Sequence, residues 1–321
     1  SWRGESTRQR GSTGRRWANG EHYTVSCSRH GADRKRTTIS VTPNALLNSD
    51  LTNINLNLII IDNNSSDKTI SSVKKFFSSG PIADHPFFAG YFLVANKSNL
   101  GFAKAVNQGL KLAQEKTNPD YFFLLNPDAY LEKKCLRTLL KSSSLKKGTQ
   151  SLKSPLIINL KNKKPWFSGG KLSWLKMRAK HLSDNNQSTD YLTGCALLIP
   201  KEIVQAIGFF DENFFLYYED TDFSLRSKQA GFSLEIIPSA LAYHQESYSF
   251  KSITDKQKNG PSFELKNYYL SMSGLYFFYK HYPRWGKIYF WLFFFLRLIY
   301  HSLFSGKVEV ARGIKSFWHK H

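Results

Sequence analysis

The chain is poor in cysteine. Cys27, Cys135 and Cys195 are the only three in 321 residues, and their wide spacing excludes a disulfide scaffold or a cysteine-only zinc site. A reducing compartment is the expectation from that usage. The first thirty residues hold no apolar run of about 7–15 residues, so no secretory signal is expected there. No segment recurs at a fixed period, which excludes solenoids and propellers. Acids are scarce in one stretch: residues 131–183 carry 14 Lys and Arg against the single acid Glu132. Apolar residues, by contrast, are plentiful. At 41% hydrophobic and 21% charged, the chain is neither wholly disordered nor fibrous. Its length suits one large domain or two modest ones.

The net charge of +21 is unevenly placed. Residues 1–50 carry +5, residues 184–250 invert to −7, and residues 251–321 return to +9. Basic blocks attract phosphate, in nucleotides or on anionic lipid surfaces. No zinc-finger, helix-turn-helix or base-stacking motif accompanies the charge, so nucleic acid is not an expected partner. An acidic island inside a basic chain needs its own reason, such as metal or proton chemistry.

Three regions follow from composition. Residues 1–50 form an atypical basic leader, disordered or foreign to the rest, with Arg, Ser, Gly and Thr but little apolar periodicity. Residues 51–260 read as an α/β catalytic domain. Residues 261–321 read as helices dense in aromatic and basic side chains.

Within the middle region, Leu58–Ile61 is a short apolar run of the kind buried in parallel sheets. It ends in Asp62-Asn63-Asn64-Ser65-Ser66-Asp67, a turn able to cap a helix from about Lys68. Tyr91–Val94 is a second strand. Phe102, Val106 and Leu110 share one face of a helix reaching about Gln114. Tyr121–Leu125 is a third strand, stopped by Asn126-Pro127-Asp128. Further strands are expected over Leu192–Ile199 and Phe232–Ile237. The alternation predicts a doubly wound sheet, with ligands gathered at the carboxyl ends of its strands.

Asp62, Asp128, the Glu219-Asp220-Thr221-Asp222 run and His244 are the candidate chemistry-bearing groups. Singly each has a plainer use: Asp62 as a strand-end turn, Asp128 as an N-cap for a helix from Tyr130, and the acids as partners of a helix dipole. Their order along the chain gives them another meaning. Residues from about 56 to 283 resemble an inverting family 2 glycosyltransferase of the rhamnosyltransferase-like branch. The motifs that carry the likeness are Ile61–Asp67, Asn99-Leu-Gly101-Phe102-Ala103, Leu125-Asn126-Pro127-Asp128, Thr193-Gly194-Cys195-Ala196, Gly208–Phe215, and Tyr218–Arg226 followed by His244.

The resemblance implies a GT-A fold, a Rossmann-like and mostly parallel sheet flanked by helices, with aromatic helices after it. It also implies sugar transfer with inversion, in cell-envelope polysaccharide synthesis, from a dTDP- or UDP-linked donor to a glycan or lipid-linked acceptor. Mg²⁺ or Mn²⁺ would be held by Asp128 and His244, and the donor by Asp62, Asn63, Asn99, Gly101 and Asn126. Asp220 would be the general base with Glu219 beside it, and Gly194, Asp222 and Arg226 would stand on the acceptor side. Asp222 has the further reading of a support for Arg226.

In one respect the pattern is broken. The family opens on a hydrophobic strand and a nucleotide-holding turn. Tyr23–Val25, Ile39–Val41 and Val41-Thr42-Pro43-Asn44 are poor substitutes for them. The expectation is therefore a sheet without its first strand, and the alternative function is an inactive remnant lacking a complete donor site.

The last feature is Ile288–Phe304, 17 residues interrupted by Arg297 and His301 and rimmed by Lys and Arg. A span normally takes about 20 mostly apolar residues. The reading is a helix lying on an anionic cytoplasmic leaflet, making the protein peripheral to the inner face of the membrane. Its competitor is a helix packed in the core.

Overall fold

The computed structural model describes residues 21–30, 49–52, 54–65, 67–79, 88–143, 150–184, 188–245, 261–303 and 308–320. In chain order, β1 (Glu21–His30) is followed by β2 (Ile54–Asn63), α1 (Thr69–Ser79), β3 (Phe88–Ala95) and α2 (Phe102–Thr117). Then come β4 (Tyr121–Leu125), β5 (Ala129–Leu131), α3 (Cys135–Lys141), β6 (Ser151–Asn159) and β7 (Pro165–Phe167). A hairpin of β8 (Gly170–Ser173) and β9 (Arg178–His181) precedes β10 (Ala196–Pro200), α4 (Lys201–Ile207), α5 (Glu219–Gln229) and β11 (Ser233–His244). Three helices end the chain: α6 (Pro261–His281), α7 (Gly286–Leu303) and α8 (Val308–Lys320).

The main sheet has the order β3-β2-β1-β4-β10-β6-β11-β5, with β7 beside β6. Strands β3, β2, β1 and β4 run parallel, β10 enters antiparallel between β4 and β6, and β11 runs parallel to β6. The expected α/β architecture is present. Leu56, Leu58, Ile59 and Ile61 of β2 are each at most 2% exposed, and burying such a side chain contributes about 1.5–3 kcal/mol. In α2, Phe102, Val106 and Leu110 are buried as the four-residue spacing requires.

Four details depart from the sequence reading. The sheet does not lack a strand beside β2: Glu21–His30 lies between β2 and β4, in register Tyr23↔Leu56 and Tyr23↔Tyr121. Parallel pairing is made by backbone groups, so a strand with an unremarkable side-chain pattern can fill the slot. Residues 1–20 and 31–48, including the 41–44 turn, lie outside the described residues. Second, residues 129–131 form a strand, so Asp128 does not cap a helix there. Third, the strand expected over Leu192–Ile199 begins only at Ala196. The N–H groups of Leu192 and Gly194 go to Ser224 Oγ (3.0 Å) and Asp220 Oδ2 (2.9 Å) instead of a neighbouring strand. Fourth, the strand expected at 232–237 continues to His244, past a register shift between Ile237 and Leu241.

The aromatic C-terminal helices build a second core. Phe290 and Phe294 of α7 and Phe317 of α8 are at most 1% exposed, packed with Phe277 and Phe278 of α6 and Phe214. The opposite face of α7 is bare, with Ile288 80%, Leu292 59%, Leu296 58% and Ile299 51% exposed. No helix among the described residues is long and apolar enough to cross a membrane.

Candidate active site

Strand pairing assembles the site from distant residues. In the antiparallel β5–β11 ladder His244 faces Ala129, one residue beyond Asp128, and the Gln245 N–H donates to the Asp128 carbonyl at 3.0 Å. The result puts His244 Nε2 3.3 Å from Asp128 Oδ1. Neighbouring ligands of an octahedral Mg²⁺-type ion, bound at 2.0–2.1 Å, stand about 3 Å apart, so the pair fits two adjacent positions of one hard cation. No group of three or more His, Cys, Asp or Glu side chains suited to a metal is found among the described residues, which leaves the remaining positions to ligand oxygen or water. Trp166 packs 4.4 Å from the His244 ring and holds its orientation. His181, at the end of β9, packs 4.8 Å from Trp166.

The loop 193–195 ties this pair to the acidic helix. The Asn126 N–H donates to the Cys195 carbonyl at 2.9 Å, and the Gly194 N–H donates to Asp220 Oδ2 at 2.9 Å. Asp220 Oδ1 accepts from the Thr221 N–H at 2.7 Å, so its carboxylate is held at both oxygens. Burial first, and then the charges of Asp128 and Asp220, push the Cys195 thiol well up, which keeps it neutral and removes it as a nucleophile. Glu219, at the first position of α5, is buried; desolvation and the charge of Asp220 raise its pKa well above the usual carboxylate range. Both effects disfavour its charged form.

The donor-side candidates divide. Asp62, the penultimate residue of β2, has Oδ2 accepting from the Ser65 N–H at 3.0 Å, while Oδ1 is buried without a hydrogen-bond partner. Ser65 Oγ, Glu219 Oε2 and His244 Nδ1 are likewise buried and unsatisfied. Native proteins keep few such atoms, and here several belong to the residues singled out by sequence. Asn63 is different. Its amide donates to Asn99 Oδ1 (2.8 Å) and the Gly101 carbonyl (3.2 Å) and accepts from the Leu100 N–H (3.0 Å), so it frames the 99–101 loop from a fully buried position. Gly101 has φ +83°, and a Cβ there would stand 2.6 Å from the Phe215 carbonyl. Only glycine lets these two loops meet.

On the acceptor side, Gly194 touches Asp220, whereas Asp222 and Arg226 are turned elsewhere. Asp222 is fully buried and meets Arg226 Nε (2.8 Å), Lys280 Nζ (2.6 Å) and His281 Nε2 (2.8 Å). Burial works to raise its pKa, but the His281 hydrogen bond and the charges of Arg226 and Lys280 outweigh it, holding Asp222 at about 2. The other Arg226 nitrogens donate to the carbonyls of Ile207 and Phe209. Asp222 locks α5 to α6, Arg226 ties α5 to the end of α4 and to Phe209, and both are spent there; the reading of Asp222 as a support for Arg226 describes the geometry.

Sequence reasoning missed Lys280, His281 and Tyr276, whose hydroxyl donates to Asp211 at 2.9 Å. Lys280 also bonds Asp211, at 2.8 Å. Their only signal was a basic, aromatic helix. Tyr217 was passed over, and Tyr218 figured only as the first residue of a motif; both have positive φ, near +68°, and turn the chain sharply into Glu219. A separate cleft of about 520 Å³, lined by Asp50, Lys134, Arg137 and Lys141, lies at α3. Its one acid is bonded to Arg137 and Thr52.

Comparison with known proteins agrees with this arrangement. Residues 34–207 match the family described as glycosyl transferase family 2. A low-salt glycan biosynthesis hexosyltransferase, Agl10, of Haloferax volcanii is 25% identical over 55% of this chain and 54% of its own. The N-acetylglucosaminyl-diphospho-decaprenol L-rhamnosyltransferase of Mycobacterium tuberculosis is 24% identical over 60% of this chain and 68% of its own. The match thus spans little more than half of the first relative. A crystal structure of GalNAc-T7 with UDP, GalNAc and Mn²⁺ shares the fold, with a TM-score of 0.56 at 15% identity, over 80% of this chain and 51% of that one. A β-sheet of this order, carboxylates at its strand ends, and a family match over more than half the chain lead to one assignment: the protein belongs to glycosyltransferase family 2.

Proposed function

We propose that this protein transfers a hexosyl group from a nucleotide sugar, dTDP- or UDP-linked, to a hydroxyl of a glycan or lipid-linked acceptor, with inversion. The Asp128–His244 pair at the strand ends, tied through the 193–195 loop to Asp220, carries the reading. Asp128 and His244 would hold Mg²⁺ or Mn²⁺, which when bound neutralises charge developing on the diphosphate leaving group. Asp62, with one unsatisfied carboxylate oxygen, accepts a hydrogen bond from the nucleobase or ribose. Asp220 takes the proton from the acceptor hydroxyl as its oxygen bonds to the anomeric carbon and the bond to diphosphate breaks. One displacement inverts that carbon. Glu219, kept neutral, donates a hydrogen bond that orients the acceptor.

The relatives' names, one of glycan biosynthesis and one of a diphospho-decaprenol acceptor, support glycan and lipid-linked acceptors, and cell-envelope polysaccharide synthesis is the setting proposed for them. The bare apolar face of α7, within a region of charge +9, supports attachment to the inner face of an anionic membrane. The remnant reading rested on a missing strand and on the nucleotide-holding turn after it; β1 fills the place of the strand, and the 41–44 turn lies outside the described residues. The deciding assay screens purified protein with dTDP- and UDP-sugars and Mn²⁺ or Mg²⁺, measuring nucleoside diphosphate release with and without lipid-linked acceptors. Release that depends on metal and on Asp128 supports transfer; release equal to that of an Asp128→Ala variant ends the proposal.

A further inference from the structure

Asn96 joins the two residues at the end of β2 on which the donor side depends. The β2–β3 ladder runs as far as Asp62↔Ala95, and the next amide, the Asn96 N–H, donates to the Asp62 carbonyl at 2.8 Å. The Asn96 side chain turns to the following residue, its Nδ2 donating to Asn63 Oδ1 at 3.1 Å. Gln108, in the second turn of α2, closes on the same amide. Asn96 Nδ2 donates to Gln108 Oε1 at 2.8 Å, and Gln108 Nε2 donates back to Asn96 Oδ1 at 3.1 Å.

These bonds form a chain from a fixed helix to a bare acid. At the fixed end, α2 is anchored by buried Ala105, Val106, Gly109 and Leu110, on either side of Gln108 in sequence. Asn63 carries the constraint onward to the 99–101 loop, its amide meeting Asn99, Leu100 and Gly101. An amide nitrogen has two hydrogens to give, and both of those on Asn96 are committed, one to Asn63 and one to Gln108. The Asn96 amide therefore cannot turn to Asp62, whose Oδ1 stays buried without a partner while the Ser65 N–H holds Oδ2. A carboxylate oxygen left bare in the interior is costly unless a ligand completes it. Asn96 and Gln108 are themselves only half-buried, so their hold falls on the strand end rather than on the packing of the core.

We propose that Asn96 and Gln108 are positioning residues for the nucleoside end of the donor. Together they hold Asp62 in place and keep its Oδ1 open to an N–H or O–H of the base or ribose. Neither needs to touch the nucleotide. Without Gln108 the Asn96 amide is free to rotate, to compete for Asp62 Oδ1, and to release Asn63 and the 99–101 loop. This inference rests on the nucleotide-sugar reading and names two residues that act through Asp62 within it.

The test uses the full chain and calorimetry, with UDP, dTDP and pyrophosphate as separate probes, each with Mg²⁺. Pyrophosphate meets the metal pair but carries no nucleoside, so its affinity against that of the tighter nucleotide reads the nucleoside end alone. Wild-type protein should prefer the nucleotide by at least ~10-fold. Asn96→Ala and Gln108→Leu should each weaken nucleotide binding by roughly 5–10-fold, the scale of one lost hydrogen bond, with pyrophosphate within about twofold. Gln108→Glu keeps the acceptor for Asn96 Nδ2 and should fall between. In an Asp62→Ala background, where the preference for the nucleotide is already lost, Gln108→Leu should add nothing. Unchanged nucleotide binding in both variants overturns the proposal, as does an equal fall for nucleotide and pyrophosphate, the mark of general loosening. A further fall in the Asp62→Ala background overturns it too, because the pair would then act by another route. Gln108→Leu, half-buried on a helix, carries the test if Asn96→Ala misfolds. Wild-type protein that binds pyrophosphate without preferring either nucleotide overturns this proposal alone; binding of none of the probes sinks the glycosyltransferase reading and this proposal with it.

Discussion

The acidic pair at the head of α5 shows how neighbours in sequence acquire different chemistry. Asp220 is partly exposed and its carboxylate accepts from two backbone N–H groups, whereas Glu219 is 5% exposed with one oxygen unsatisfied. Asp220→Asn should keep donor binding while transfer falls by on the order of 10² or more, the scale of general-base loss. Calorimetry with the donor and a transfer assay separate the two effects; near-normal turnover would remove Asp220 from that role. For Glu219 the prediction concerns stability. Its folded pKa lies well above that of the unfolded chain, so its contribution is fully present below about pH 4.5 and is lost as pH rises toward the folded value. Glu219→Gln mimics the neutral acid. Denaturation of both proteins at pH 5 and pH 8 should show the wild type losing ground to the variant at the higher pH. A pH-independent difference would mean that Glu219 is ionised in the folded protein. Sequence could nominate both acids because they sit in one motif, but burial separates them, and nothing in the motif records which of the two the fold encloses.

At the level of elements, the junction of α5 with α6 is built on one buried anion. Asp222→Ala would leave Arg226, Lys280 and His281 facing each other without it, at a cost of about 3–5 kcal/mol for breaking a buried pair. Chemical denaturation measures this, and a loss under 1 kcal/mol would show that the cations find other partners. The depressed Asp222 pKa gives the same junction a pH limit: its stabilisation is present above about pH 4 and is lost as pH falls toward 2. α7 divides its residues more plainly. Changing Leu292, Leu296 and Ile299 together to Gln should abolish flotation with anionic vesicles while melting stays within a few degrees, because these side chains are more than half exposed. Unchanged flotation would leave the bare face without a membrane role. Apolar runs and four-residue spacing made β2, β4 and α2 legible, since their periodicity reflects their own burial. The extent of β10 was not legible: the bonds that end it come from Ser224 and Asp220, side chains of another element. Nor could an aromatic run reveal which face of α7 is covered, because α6 and α8 decide it.

For the molecule as a whole, the consequential strand is the one whose sequence looked least like a strand. β1 lies at the centre of the parallel half of the sheet, although the family match begins at residue 34. A chain beginning at residue 49 would leave β2 and β4 with facing unpaired edges, and unpaired edges invite association. It should aggregate or lose cooperative unfolding by circular dichroism. A monomeric, donor-binding product would show β1 to be dispensable. Position also sets a timetable during synthesis. β1 emerges first, meets β2 some two dozen residues later, and then waits for β4, whose last residue follows its own by 95. At ribosomal speeds that interval is on the order of 5–20 s. During it, one long edge of the nascent β1–β2 ribbon stays open in the crowded cell, a target for chaperones that shield extended backbone until residue 125 has been made.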